Sequence, residues 1–87
     1  MEYIRVKFLY PQLSATIRVR NGDLVEVGHG TIVLIPVQPG LYCIDAMKYD
    51  KVVETTHVEI NIAVIEAAKQ SRWDFFNYRL EVVTVED

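Results

Sequence analysis

The amino-acid sequence predicts an α+β fold: an antiparallel sheet of five to six strands, one helix near residues 62–74 and a C-terminal closing strand. Three observations predict it. Apolar and polar residues alternate through most of the first half, good helix formers cluster after residue 62, and alternation resumes from Tyr78. A small SH3-like barrel is the alternative architecture. Because the chain has 87 residues, we expect residues 1–87 to form a single compact domain.

The N-terminal region reads as two amphipathic strands, at 3–10 and 14–20. Every second residue of each segment is apolar, and the residues between them are mostly polar or basic. Pro11 cannot donate a hydrogen bond to a sheet, so it belongs to the connection between the strands. If the two strands pair, their polar faces combine into one basic patch formed by Arg5, Lys7, Arg18 and Arg20.

Asn21-Gly22 predicts a hairpin that leads into a third strand. We expect a three-residue loop, because that register pairs Ile17 with Val25 and directs Val25 and Val27 to the core. Gly28-His29-Gly30 then reads as the next turn. His29 could carry a proton, but the nearest residues offer only Asp23, Glu26 and Thr31 as partners for a general base, so we interpret it as a turn residue.

The segment "TIVLIPV", residues 31–37, is apolar on both faces of a strand. Such a strand is covered on both sides, in a small barrel or beneath a helix, or else it lies in an interface. A fifth strand follows at 41–48. It contains Cys43, which we interpret as a small buried apolar residue. If Asp45 shares the face of Cys43, we expect its carboxylate to lie beyond the edge of the core, to pair with a cation or to belong to a functional site.

The segment from Val52 to Val64 has two interpretations. Alternation of apolar and polar residues favours a strand, whereas Thr56 and Glu59 have the spacing of a capping box, which would start a helix at His57. The many β-branched residues after His57 weaken the early-helix alternative. We therefore expect the helix to begin near residue 62, with residues 57–62 left open between strand and helix.

The composition indicates which cellular compartment and which classes of partner to expect. The formal net charge is −3, which is too acidic for a general nucleic-acid binder. One cysteine excludes an internal disulfide, and the N-terminal residues include charged side chains within the first seven positions, unlike a secretory signal. No segment has the length of a membrane span. We expect a cytoplasmic protein with no membrane partner.

Two groups of residues are candidates for partner binding. The basic patch of the first hairpin could bind phosphate groups or an acidic protein surface, although charges on a solvent-exposed sheet face are common. The segment 72–79 gathers four aromatic residues at a helix-to-strand junction, where they cannot all face the core. Because aromatic residues and arginine anchor many interfaces, the candidate partner-binding residues are Arg5, Lys7, Arg18, Arg20, Trp73 and Phe76.

The sequence contains no glycine-rich phosphate loop, metal-ligand cluster, nucleophile motif or dinucleotide fingerprint. We therefore expect no enzymatic activity and no cofactor. Hydrophobic residues make up 51% of the chain, which suggests apolar surface in contact with a protein partner or in a homo-oligomer. We expect a small non-catalytic protein-protein interaction protein that occludes a larger host target, as phage or mobile-element inhibitors do. The alternative is a small-barrel nucleic-acid or nucleotide binder that uses the basic hairpin face.

Overall fold

The computed structural model describes residues 1–9, 16–75 and 77–86. These residues form strands and one helix in an α+β arrangement, as predicted. The elements in chain order are β1 (Glu2–Phe8), β2 (Thr16–Asn21), β3 (Leu24–His29), β4 (Ile32–Pro36), β5 (Gly40–Lys48), β6 (Lys51–Ile60), α1 (Ile62–Gln70), β7 (Trp73–Phe75) and β8 (Tyr78–Thr84).

The strands form two antiparallel sheets of four strands each, with the orders β4-β1-β8-β7 (sheet A) and β3-β2-β5-β6 (sheet B). The prediction of a single sheet of five to six strands is wrong, and so is the SH3-like barrel, because the two sheets do not close. β1 pairs with β4 and β8 rather than with β2. The C-terminal closing strand was predicted correctly, since β8 completes sheet A between β1 and β7.

The core lies between the two sheets. Alternating residues of β1 and β8 face alternating residues of β2 and β5, so each strand contributes one apolar face. Burial of this apolar surface is the main stabilising contribution to a fold of this size. The most deeply buried side chains are Tyr78, Ile4, Ile17, Ile35, Ile44, Ile60, Leu80, Val6 and Val19.

The helix spans Ile62–Gln70 and packs chiefly against β8, with smaller contacts to β6 and β7. Asn61 caps it, since its side-chain oxygen accepts a hydrogen bond from the Val64 amide at 2.9 Å. The strand interpretation of residues 57–60 is therefore correct, and the capping box at Thr56 is not used. The helix ends before the predicted Asp74, because β7 begins at Trp73.

The chain passes from sheet B to sheet A at the corner between β3 and β4. Gly28 permits this crossing: a Cβ there would lie 2.4 Å from the Ile32 carbonyl oxygen and 2.8 Å from the Val33 Cβ. Gly30 follows with a φ of +80°, a conformation suited to glycine. The Gly28-His29-Gly30 stretch is thus a corner that joins the two sheets, with His29 exposed at the end of β3.

The β2–β3 hairpin has a register different from the predicted one. Arg18 pairs with Val27 and Arg20 with Val25, across a two-residue turn in which Gly22 has a φ of +64°. Val25 and Val27 therefore lie on the outer face of sheet B beside the arginines. The prediction failed because it assumed that both valines had to be buried, whereas β3 is an edge strand on which they stay exposed.

Candidate interaction surface

The four predicted cations do not form one patch. Arg5 and Lys7 lie on the outer face of sheet A, and Arg18 and Arg20 lie on the outer face of sheet B, on the opposite side of the shared core. The single basic face of a first hairpin is wrong, because β1 and β2 belong to different sheets. The geometric basis for the nucleic-acid alternative is therefore missing.

The outer face of sheet A, here called the docking face, brings apolar and basic side chains together. Ile32 and Leu34 on the edge strand β4 are 41% and 40% exposed. Their cross-strand neighbours on β1 are Lys7 and Arg5. Tyr3, two residues before Arg5 on β1, lies on the same face between Pro36 of β4 and Val83 of β8. These three residues extend the apolar part of the face across the sheet.

The docking face also carries a group of basic side chains, which begins on β1 beside the aliphatic pair and extends to β8 and β7. We call it the basic corner, and its members are Arg5, Lys7, Arg72 and Arg79. Two carboxylates lie among them: Glu81 accepts a hydrogen bond from Arg5, and Asp74 pairs with Arg79 at 3.0 Å and with Arg72 at 3.7 Å. Four cations against two carboxylates leave this corner with a net charge of +2, although the whole chain carries −3.

Lys7 is the basic residue of the corner without a carboxylate. It lies between Ile32 of β4 and Arg79 of β8, is exposed, and forms no ion pair with any described residue. Two cationic side chains directly opposite each other on neighbouring strands repel. An acidic group from outside the chain would relieve that repulsion, so Lys7 and Arg79 are suited to an acidic partner.

The outer face of sheet B holds a polar network around Asp45. This residue is 3% exposed, and its carboxylate accepts a hydrogen bond from Thr55 at 3.0 Å and pairs with Arg20 at 3.1 Å. The Asp45 carboxylate, together with Cys43, raises the pKa of the Arg20 guanidinium. The network links β2, β5 and β6, so Asp45 is a buried acid paired with a cation, one of the alternatives expected from sequence.

Cys43 is not the buried apolar residue that was predicted. It lies half-buried on the outer face of sheet B, where the Arg20 guanidinium donates to its Sγ at 2.8 Å. The sequence near Cys43 offers no nearby cation, and Arg20 reaches it only because β2 and β5 are neighbours. On this face the two arginines are balanced by two carboxylates, Asp45 and Glu59.

The three described aromatic residues of segment 72–79 are not all buried, as expected from the sequence. Tyr78 is fully buried and Phe75 packs against the core, whereas Trp73 is 36% exposed at the sheet A edge. Trp73 faces the core side of β7, opposite Leu80, and so does not join the docking face. The predicted Phe76 lies outside the described residues.

Sequence reasoning found two members of the docking face, Arg5 and Lys7, and missed Arg79. Arg79 could not be found, because nothing local indicates that β8 pairs with β1. The aliphatic pair Ile32 and Leu34 did have a signal: "TIVLIPV" is apolar on both faces, and an interface was one of its expected explanations. Val33 and Ile35 fill the core, which leaves the other two to solvent.

No group of three or more His, Cys, Asp or Glu side chains in the described part of the chain could hold a metal ion. Within the same residues, no helix has the length and apolar character needed to cross a membrane. Comparisons with known proteins find no matching family model, no matching curated protein and no matching solved structure.

Proposed function

We propose that this chain is a small non-catalytic protein-binding module whose docking face covers an acidic, partly apolar surface of a larger protein. One observation carries the proposal. Exposed aliphatic side chains and a basic corner of net charge +2 share one face of sheet A in a chain whose overall charge is −3. Covering a functional surface needs no catalytic group, and occlusion of a host target by a phage or mobile-element inhibitor is the mode of action that we propose.

The aliphatic part supplies the driving force for association. Ile32 and Leu34 stand side by side on an edge strand, with Tyr3 and Pro36 completing the apolar area. Removal of apolar surface from water contributes about 25 cal/mol per Å². The sheet already fixes the backbone of these residues, so covering them costs side-chain rotamer freedom but no further ordering of the chain.

The basic corner supplies specificity for acidic partners. Arg79 and Arg5 are held in place by Asp74 and Glu81, which preorganises their guanidinium groups. Arginine is enriched at the energetically important positions of protein interfaces. Opposite charges across an interface also raise the association rate and exclude partners of the wrong sign.

The test uses the full-length chain, the proteins captured with it from the native cell's lysate, and direct titration of the purified partner. We expect Lys7→Glu to weaken binding about tenfold, because it replaces an attraction with a repulsion at the basic corner. The matched control is Lys51→Glu, the same change at an exposed lysine of β6 in sheet B, which should leave affinity within about twofold.

Equal weakening by Lys7→Glu and Lys51→Glu would show a general charge effect and would contradict the proposal. Binding to nucleic acid in place of protein, with a steep loss of affinity as salt rises, would establish the alternative function instead. Circular dichroism checks that both variants fold, and both of the replaced lysine side chains are exposed.

A further inference from the structure

Within residues 1–9, 16–75 and 77–86, the two sheets end in four edge strands, and three of these are protected against pairing with another chain. β4 is short and ends in Pro36, which cannot donate to a sheet. β7 has three residues. β6 begins with Lys51, has an irregular register beside Ala46 and Met47, and runs directly into the helix. Lysine, proline, irregular pairing and short length are among the usual protections of edge strands.

The fourth edge, β3, lacks these four protections, and its only Asp, Glu, Lys or Arg side chain is Glu26, on the core side of the strand opposite Val19. Its sequence "LVEVGH" contains neither lysine nor proline, and its pairing with β2 is regular along its whole length. Val25 and Val27 are 49% and 54% exposed on its outer face. An unprotected edge strand flanked by exposed apolar side chains is a template for addition of another strand.

The backbone groups available at this edge follow from the β2–β3 turn. The two-residue turn is closed by the pair Asn21 and Leu24, which in such hairpins exchanges both of its hydrogen bonds. Alternation along the strand then directs the N–H and C=O groups of Glu26 toward β2. The same alternation directs those of Val25, Val27 and His29 toward the open edge.

We propose that the occupant of this edge is a second copy of this chain, paired β3 to β3 in antiparallel orientation about a two-fold axis at Val27. This register gives three hydrogen-bonded pairs: Val27 with Val27, and Val25 with His29 twice, each pair exchanging two main-chain bonds. It places Glu26 opposite Gly28, which has no side chain. The two sheets B become one continuous sheet of eight strands.

Self-complementarity selects this arrangement over the neighbouring one. Pairing about Glu26 would set two carboxylates directly opposite each other, which is destabilising. Pairing about Val27 stacks valine on valine across the axis and leaves no like charges opposed. A two-fold interface of this kind uses the same patch on both copies. The dimer uses sheet B and the docking face belongs to sheet A, so either proposal can fail while the other stands.

Sedimentation equilibrium of the full chain, from about 1 µM to about 1 mM, tests the proposal. We expect the mass to rise with concentration from 10.0 kDa to twice that value. Val27→Lys should weaken the dimer at least about tenfold, because it sets two ammonium groups beside each other at the axis. The control Leu41→Lys adds the same charge at a 66% exposed leucine of β5 and should leave the dimer unchanged.

A wild-type chain that remains at 10.0 kDa throughout would overturn the proposal, and so would a dimer that survives Val27→Lys. Equal loss of the dimer in both variants would also overturn it, by placing the contact on the outer face of sheet B. Slower amide exchange at Val27 with rising chain concentration, measured by NMR, would support pairing at the edge itself.

Discussion

Tyr78 offers a quantitative test of the core between the sheets. Its side chain is fully buried at the start of β8, with its ring centroid 5.2 Å from that of Phe8. Its hydroxyl has no hydrogen-bond partner of good geometry among the described residues. Burial, and next the negative charge of Glu54, raise the pKa of Tyr78 to about 12, and the nearby Thr56 hydroxyl offsets only part of this effect.

The consequence is a loss of stability at alkaline pH. Below pH 10 the phenol is protonated in both the folded and the unfolded chain, so it contributes no pH dependence. Between pH 10 and 12 the unfolded chain releases the proton first, and the free energy of unfolding falls as pH rises. A shift from the ordinary pKa near 10 to about 12 corresponds to a loss of at most about 3 kcal/mol.

Tyr78→Phe removes the titrating group and keeps the ring. At pH 7 we expect the free energy of unfolding to stay within about 1 kcal/mol of wild type or to increase, because the lost hydroxyl is buried and makes no hydrogen bond of good geometry. Above pH 10 the variant should lose less stability than wild type. Urea unfolding of both proteins at neutral pH and at several alkaline pH values measures the difference between their free energies of unfolding. The other tyrosines and the lysines titrate in both proteins, so their contributions cancel in this difference.

Two results would refute this reasoning. A variant destabilised by more than about 2 kcal/mol at pH 7 would show that the hydroxyl makes a strong hydrogen bond in the folded chain. Identical alkaline slopes for the two proteins would show that Tyr78 titrates at its ordinary pKa, and that it is not enclosed between the sheets.

Two further predictions concern the elements that join the sheets. Gly28→Ala should lower the free energy of unfolding by about 2 kcal/mol or more, because the new Cβ would lie 2.4 Å from the Ile32 carbonyl oxygen. Urea denaturation measures this loss, and a loss below about 0.5 kcal/mol would contradict the close crossing of β3 and β4. Asn61→Ala should lower the free energy of unfolding by about 1 kcal/mol through loss of the helix cap, whereas Asn61→Asp should keep most of the stability that the cap provides. Thermal unfolding measures both variants, and equal losses of stability would argue against the cap.

Local sequence patterns predicted the elements of this fold far better than their partners. Alternation identified β1, β2 and β8, and helix propensity located the start of α1 at Ile62. Both signals depend on a residue's near neighbours. The pairing of β1 with β8 joins residues 70 or more positions apart, such as Arg5 and Glu81, and nothing within either segment specifies the other.

The same limit explains how much of the candidate site could be predicted. Arg5 and Lys7 lie on one strand, so their common face followed from alternation alone. Their separation from Arg18 and Arg20, and their union with Arg79, depend on which strands meet in each sheet. The apolar character of "TIVLIPV" was visible from the start, but only the sheet position of β4 shows that Ile32 and Leu34 face solvent.

Lysine acetylation footprinting tests the central claim, that the outer face of sheet A binds a protein partner, most directly. Acetylation rates are measured by mass spectrometry for the chain alone and for the chain saturated with its purified partner. We predict that the partner slows acetylation of Lys7 at least about fivefold, while Lys51 on sheet B reacts at its free rate. An unchanged rate at Lys7, with the chain fully bound, would contradict the proposed docking face.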